Sequence, residues 1–113
     1  MSNSNAIAIA SGVQRLPDSK REEILKNPGF GVTFTDHMAL IKYNLENGWH
    51  DGQICSHSDL NVSPAMMVFH YGQAIFEGMK AYRTPENELV LFRPEKNAQR
   101  FNKSAVRMAM PEI

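Results

Sequence analysis

The sequence predicts an α+β fold, a two-layer α/β sandwich in which helices pack on a mostly antiparallel sheet. Short segments that alternate apolar and polar residues lie on both sides of turn-forming dipeptides, as the strands of hairpins do. An amphipathic helical pattern follows the last of these strands. With 113 residues, the chain has the length of one modest domain.

The amino-terminal part of the chain is predicted to be a flexible tail followed by a short helix. Residues 1–17 are small and polar and form the predicted tail, so the folded domain is expected over 18–113. Residues 19–27 are predicted to be helical. Ser19 precedes Glu22 by three positions, which is the spacing of a capping box.

A first hairpin is predicted next. Residues 30–43 are rich in β-branched and aromatic side chains and are typical of a strand. The dipeptide Asn47-Gly48 accepts a positive φ and predicts a turn, after which 48–58 returns as a second strand. The short apolar run 65–70 is equally typical of a buried strand and of a helical turn.

A second hairpin and a long helix complete the pattern. Residues 78–83 alternate in polarity, 84–87 have turn composition, and 89–92 (LVLF) are typical of a buried strand. Pro94 then opens a helix that is predicted to run to about Met110, because proline is tolerated in the first turn.

The last helix carries a basic stripe. Its five positive residues recur at steps of three and four, which places them along one side: Arg93, Lys96, Arg100, Lys103 and Arg107. Such a stripe is either a solvated face or an anion site. Arg100 borders the apolar face at Phe101, so it is the member expected to point inward and to need a charged partner.

Composition excludes several classes of function. Twelve basic and twelve acidic residues cancel, which gives no overall attraction to nucleic acid. No run approaches the length of a membrane helix, so no membrane partner is expected. The single cysteine, Cys55, indicates a reducing, cytoplasmic location, and the four histidines show no metal-site spacing. Glu77, between apolar residues, is either a functional carboxylate or a hydrogen-bonded structural one.

Three blocks of the sequence, read in order, resemble one family. They are FGVTFTDHMALIKYNLENGW, YGQAIFEGMKAYR and LVLFRPEKNAQRFNKSAVRMAMP, and together they span most of residues 30–113. They resemble the small amino-terminal domain of the branched-chain amino acid aminotransferases, which are class IV enzymes that use pyridoxal 5′-phosphate (PLP). The resemblance implies transfer of an amino group from leucine, isoleucine or valine to 2-oxoglutarate by a homodimer.

The resemblance also implies roles for individual residues. Arg100 matches the helix arginine that binds the PLP phosphate, a role that suits a planar guanidinium. Tyr71 and Phe76 match aromatic residues that line the pocket for the branched side chain, and Phe30 matches a third wall. Without the resemblance, plain core packing would be the simpler interpretation of Phe30 and Phe76.

The resemblance assigns no catalytic residue to this chain. Lys80 does not match the lysine that forms the Schiff base, because in the family that lysine belongs to a larger domain that follows the small one. The larger domain is absent from these residues, so the chain is expected to be inactive alone. The alternative is a stand-alone binding module with the same fold and no catalysis.

Overall fold

A computed structural model describes residues 7–113, and residues 1–6 of the predicted tail lie outside the described part. The chain divides into two compact units, of which the first ends at Leu60 and the second is Asn61–Ile113. The described part contains three helices and two small sheets, which confirms the predicted α+β class. The predicted domain boundaries, 1–17 and 18–113, stay predictions.

The first unit is built on a three-stranded sheet of order β1-β3-β2. Strand β2 runs antiparallel to β3, as the sequence predicts, and β1 adds a short parallel edge within the segment predicted as a tail. The elements of this unit are β1 (Ala8–Ile9), α1 (Asp18–Lys26), β2 (His37–Asn44) and β3 (Gly48–Ser56).

The turn between β2 and β3 is the one predicted from Asn47-Gly48. Gly48 has a φ of +63°, a conformation that glycine adopts without strain. The side-chain oxygen of Asn44 accepts a hydrogen bond of 2.7 Å from the backbone N–H of Asn47. Tyr43 and Trp49 face each other across the strands, with ring centroids 5.2 Å apart.

The predicted capping box is wrong. Helix α1 begins at Asp18 after Pro17, and no side chain caps its amino terminus. Asp18, the first residue of the helix, forms ion pairs with Arg15 and Arg21. Its carboxylate therefore binds these two side chains and does not cap the helix.

The predicted strand over 30–43 is also shorter than expected, since β2 begins at His37. Gly29 and Gly31 both have positive φ, at 67° and 70°, which bends the backbone away from an extended path. The hydroxyl of Thr33 donates to the carbonyl oxygen of Pro28 at 2.6 Å and holds this bend. The β-branched residues here therefore belong to a bent segment that precedes β2.

The second unit contains a hairpin and the long helix. Strands β4 and β5 pair antiparallel, so the second predicted hairpin is confirmed. The apolar run 65–70 contains a helical turn and no strand. The elements are α2 (Met67–His70), β4 (Ala81–Arg83), β5 (Leu89–Leu91) and α3 (Pro94–Arg107).

The segment LVLF is not buried as predicted. Leu89, Val90, Leu91 and Phe92 are all exposed, because their hairpin has two strands. Within residues 7–113 the one fully buried hydrophobic side chain is Ala105 on α3, at 1% exposure. Many large hydrophobic side chains of the described part are therefore exposed.

We expect the Gly48→Ala substitution to lower the free energy of unfolding by roughly 1–2 kcal/mol, because an L-residue is strained at positive φ. Chemical denaturation measures this loss. Gly52→Ala is the matched control, since a Cβ there would meet Ile41 at an ordinary 3.7 Å and Gly52 lacks a positive φ. Equal losses in both variants would contradict this account of the turn.

Candidate anion-binding site

The segment of residues 72–80, which precedes β4, runs beside helix α3. The side-chain amide of Gln73 donates to the carbonyl oxygen of Met108 at 2.9 Å. The side-chain amide of Asn97 donates to the carbonyl oxygen of Gly78 at 2.7 Å. Two helix positions three turns apart therefore hold the segment along the helix.

Side chains of this segment alternate in exposure. Gln73, Ile75 and Glu77 are half-buried, whereas Ala74 and Phe76 between them are exposed. Extended backbone places successive side chains on opposite sides. Glu77 thus meets the helix at Arg100, whereas the exposed Phe76 lines a groove together with Arg107.

Glu77 meets Arg100 in a two-point ion pair. Nε of Arg100 donates to Oε2 of Glu77 at 3.0 Å, and Nη2 donates to Oε1 at 2.5 Å. Asn97, one turn earlier on α3, donates to the same Oε1 at 3.0 Å. The Glu77 side chain is 18% exposed and that of Arg100 is 59% exposed, so the carboxylate is the better-held partner.

Hydrogen bonding shifts the titration of both groups. The hydrogen bond from Arg100 holds the pKa of Glu77 below its ordinary value of 4.5, and the bond from Asn97 adds to this shift. The same contact with Glu77 raises the pKa of Arg100. Both shifts favour the charged forms, so the pair is ionised at neutral pH.

Arg100 lines a groove of about 470 Å³ that is otherwise rich in cations. Lys80, Arg93 and Lys96 also line it, and no carboxylate does. Arg93 lies 3.6 Å from Glu95, which partly offsets its charge. The groove therefore attracts anions, although the chain as a whole is neutral.

The amino terminus of α3 shapes one end of this groove. Pro94 occupies the first turn, as predicted, and Arg93 precedes it with a φ of +48°. A non-glycine residue at positive φ is strained. That conformation directs the chain from β5 into α3, and so brings Arg93 and Lys96 to the groove that Arg100 lines.

The predicted site residues separate into different places. Arg100 has the charged partner that the sequence predicts, although its exposed side chain lies at the surface of its unit and not inside it. Phe76, at 89% exposure, lines a second groove beside Lys103 and Arg107. Tyr71 is 80% exposed. Phe30 belongs to the first unit and is fully exposed, so core packing explains neither phenylalanine.

The sequence pattern did not indicate Asn97 as a partner of the site or Lys80 as a residue that lines the groove. The basic stripe divides, because Arg93, Lys96 and Arg100 line the cationic groove, whereas Lys103 and Arg107 line the second one. A usable signal was the i, i+3 spacing of Asn97 and Arg100, which puts both side chains on one helix face.

Two negative findings concern the described residues only. Over residues 7–113, no three His, Cys, Asp or Glu side chains are grouped so that they could hold a metal ion. Within the same range, every helix is too short or too polar to cross a membrane.

Similar proteins share much of this sequence. A protein named "probable branched-chain-amino-acid aminotransferase" in Streptomyces coelicolor is 51% identical over 107 residues, which are 95% of this chain and 30% of that protein. The branched-chain-amino-acid aminotransferase of Mycolicibacterium smegmatis is 46% identical over 93% of this chain and 28% of its own length. No protein-family model matches the chain.

The sequence identity to these relatives places this chain among the aminotransferases. It belongs to the branched-chain-amino-acid aminotransferase family. The chain spans about 30% of the length of the curated relatives that it matches.

We expect the ion pair between Glu77 and Arg100 to persist at mildly acidic pH. Because the folded pKa of Glu77 is lowered, its contribution to stability is present above pH 4.5 and is lost as the pH falls through the folded pKa. Carbon-13 NMR of the glutamate carboxyls follows this titration. Arg100→Ala should move the Glu77 midpoint upward, and an unmoved midpoint would count against the ion pair.

Proposed function

We propose that this chain is the amino-terminal part of a PLP-dependent branched-chain aminotransferase of the cytoplasm. The whole enzyme transfers the amino group of leucine, isoleucine or valine to 2-oxoglutarate and acts as a homodimer. The observation that carries the proposal is the cationic groove, in which Arg100 is held by Glu77 beside three further cations. The names of the similar proteins indicate the reaction class.

The residues of the groove fit a phosphate group. A guanidinium presents paired N–H donors that match phosphate oxygens, and the neighbouring lysines add positive charge. The groove volume of about 470 Å³ lies in the usual range for small-molecule sites. Arg100 would therefore hold the PLP phosphate, with Lys96 or Lys80 contributing charge nearby.

PLP, when bound, supplies the electron sink that amino-group transfer requires. The residues of this chain bind and orient, and none is assigned to catalysis. The Schiff-base lysine is proposed to lie in the remaining part of the enzyme, as the family resemblance implies. Lys80 would act through its charge alone.

The exposed aromatic side chains could line a pocket for the branched side chain of the substrate. Tyr71 and Phe76 present nearly their whole rings at the surface of the second unit, and Phe30 does so in the first. A branched aliphatic side chain has no polar group, so selection depends on shape and burial, at about 1–3 kcal/mol for each methylene. The remainder of the enzyme would complete this pocket.

The direct experiment is the intact mass and visible absorbance of the native gene product. A chain about three times longer than this one, carrying the absorbance of bound PLP, is the expected result. A colourless product of these residues alone would contradict the proposal and leave a stand-alone binding module.

Arg100→Ala in the full-length protein is expected to weaken PLP binding roughly 10- to 100-fold, because a hydrogen-bonded charge on the phosphate is lost. Fluorescence titration of the apoprotein with PLP measures the dissociation constant. Arg107→Ala is the matched control from the same basic stripe, since Arg107 lines a different groove. Equal PLP affinity in both variants would remove Arg100 from the site.

Tyr71→Ala and Phe76→Ala are expected to raise KM for leucine by roughly tenfold, because each removes apolar contact with the branched side chain. KM for glutamate should change less, since glutamate has a polar side chain. Steady-state kinetics with both amino donors tests this. Parallel changes for the two donors would indicate general destabilisation instead.

A further inference from the structure

The guanidinium of Arg100 has little else to set its direction. Its side chain is mostly exposed on α3, and a long exposed arginine samples many rotamers. Among the described residues, Arg100 donates through Nε and Nη2, and both hydrogen bonds go to Glu77. The carboxylate therefore decides where the guanidinium points.

Glu77 is itself held independently of Arg100. Asn97 donates to Oε1 of Glu77 and to the carbonyl oxygen of Gly78, so one amide fixes both the carboxylate and the backbone next to it. Gln73 holds the earlier part of the segment at Met108. The position of the Glu77 carboxylate is thus set by these bonds and does not depend on Arg100.

The geometry of the ion pair leaves the other edge of the guanidinium available. Glu77 takes the edge formed by Nε and Nη2, and a guanidinium carries five N–H donors in a rigid fork. The edge formed by Nη1 and the second N–H of Nη2 remains for an anion. An arginine held in this way presents a preformed two-point donor to phosphate oxygens.

A carboxylate beside a phosphate site is unfavourable on charge alone. Glu77 repels an anion that approaches Arg100, and this repulsion acts against binding. An orienting role and the charge effect therefore predict opposite consequences of neutralising Glu77. This opposition in sign makes the role testable.

We propose that Glu77 is a positioning residue of the anion site, which aims the free edge of Arg100 into the cationic groove, and that Asn97 holds Glu77 in place for this purpose. The inference rests on the proposed function, since it takes the phosphate of PLP as the anion. Neither residue touches the reacting atoms.

The test uses the full-length apoenzyme with PLP and with pyridoxal, which lacks the phosphate. Glu77→Gln keeps the shape of the side chain and removes its charge. We expect PLP affinity to fall roughly tenfold and pyridoxal affinity to stay unchanged, because the lost alignment concerns the phosphate alone. Unchanged or tighter PLP binding would overturn the proposal, as would an equal loss for both ligands.

A double-mutant cycle shows whether Glu77 acts through Arg100. In an Arg100→Ala background, Glu77→Gln should cause no further loss of PLP affinity, because the group that it positions is gone and only the repulsion by its charge remains to be removed. Additive losses would overturn the positioning role. Glu86→Gln, in the turn between β4 and β5, is the control and should bind PLP as the unmodified protein does.

Asn97→Ala provides a second variant should Glu77→Gln fail to fold, which circular dichroism reports. It releases the carboxylate without removing it and should weaken PLP binding in the same phosphate-dependent way, roughly two- to fivefold. Unchanged PLP affinity in Asn97→Ala would contradict the role given to Asn97.

The variants together separate the two proposals. If Arg100→Ala leaves PLP binding intact, the proposed phosphate site is contradicted. If only the Glu77 and Asn97 variants leave PLP binding intact, the positioning role alone is contradicted.

Discussion

The ion pair between Glu77 and Arg100 is the contact on which the second unit's site depends. It joins a helix to a segment that has no regular secondary structure, and it gives the exposed guanidinium of Arg100 a charged partner. Asn97 extends the contact to the backbone of Gly78. The three residues form one hydrogen-bonded network, so a change in any of them acts on the others.

The placement of basic residues explains how a neutral chain presents a cationic groove. Equal numbers of acidic and basic residues remove any long-range attraction, and the cationic groove arises from where the chain places its lysines and arginines. Pro94 starts α3 directly after the strained Arg93, which brings the first turn of the helix to the groove. Local backbone geometry, more than composition, therefore produces the positive potential.

The exposure of many hydrophobic side chains is the second constraint on this chain. One hydrophobic residue is fully buried among the residues described, whereas aromatic side chains such as Tyr71, Phe76 and Phe92 lie exposed. Large exposed apolar patches mark surfaces that other protein or ligands cover. This surface fits the proposal that the chain functions within a protein about three times its length, whose remaining part completes the substrate pocket.

The sequence by itself determined the α+β class, both hairpins and the long helix, because turn dipeptides, proline and alternation act over a few neighbouring residues. It also determined the family, through the three blocks that resemble the branched-chain amino acid aminotransferases. It also predicted that Arg100 needs a charged partner. Tertiary structure alone decided that the partner is Glu77, 23 residues away, and that Asn97 holds Glu77 and the backbone of Gly78. Contacts between distant segments leave no local pattern, which is also why the exposure of LVLF was not predicted. The bend at Gly29 and Gly31 was missed because the β-branched and aromatic residues around it favour a strand.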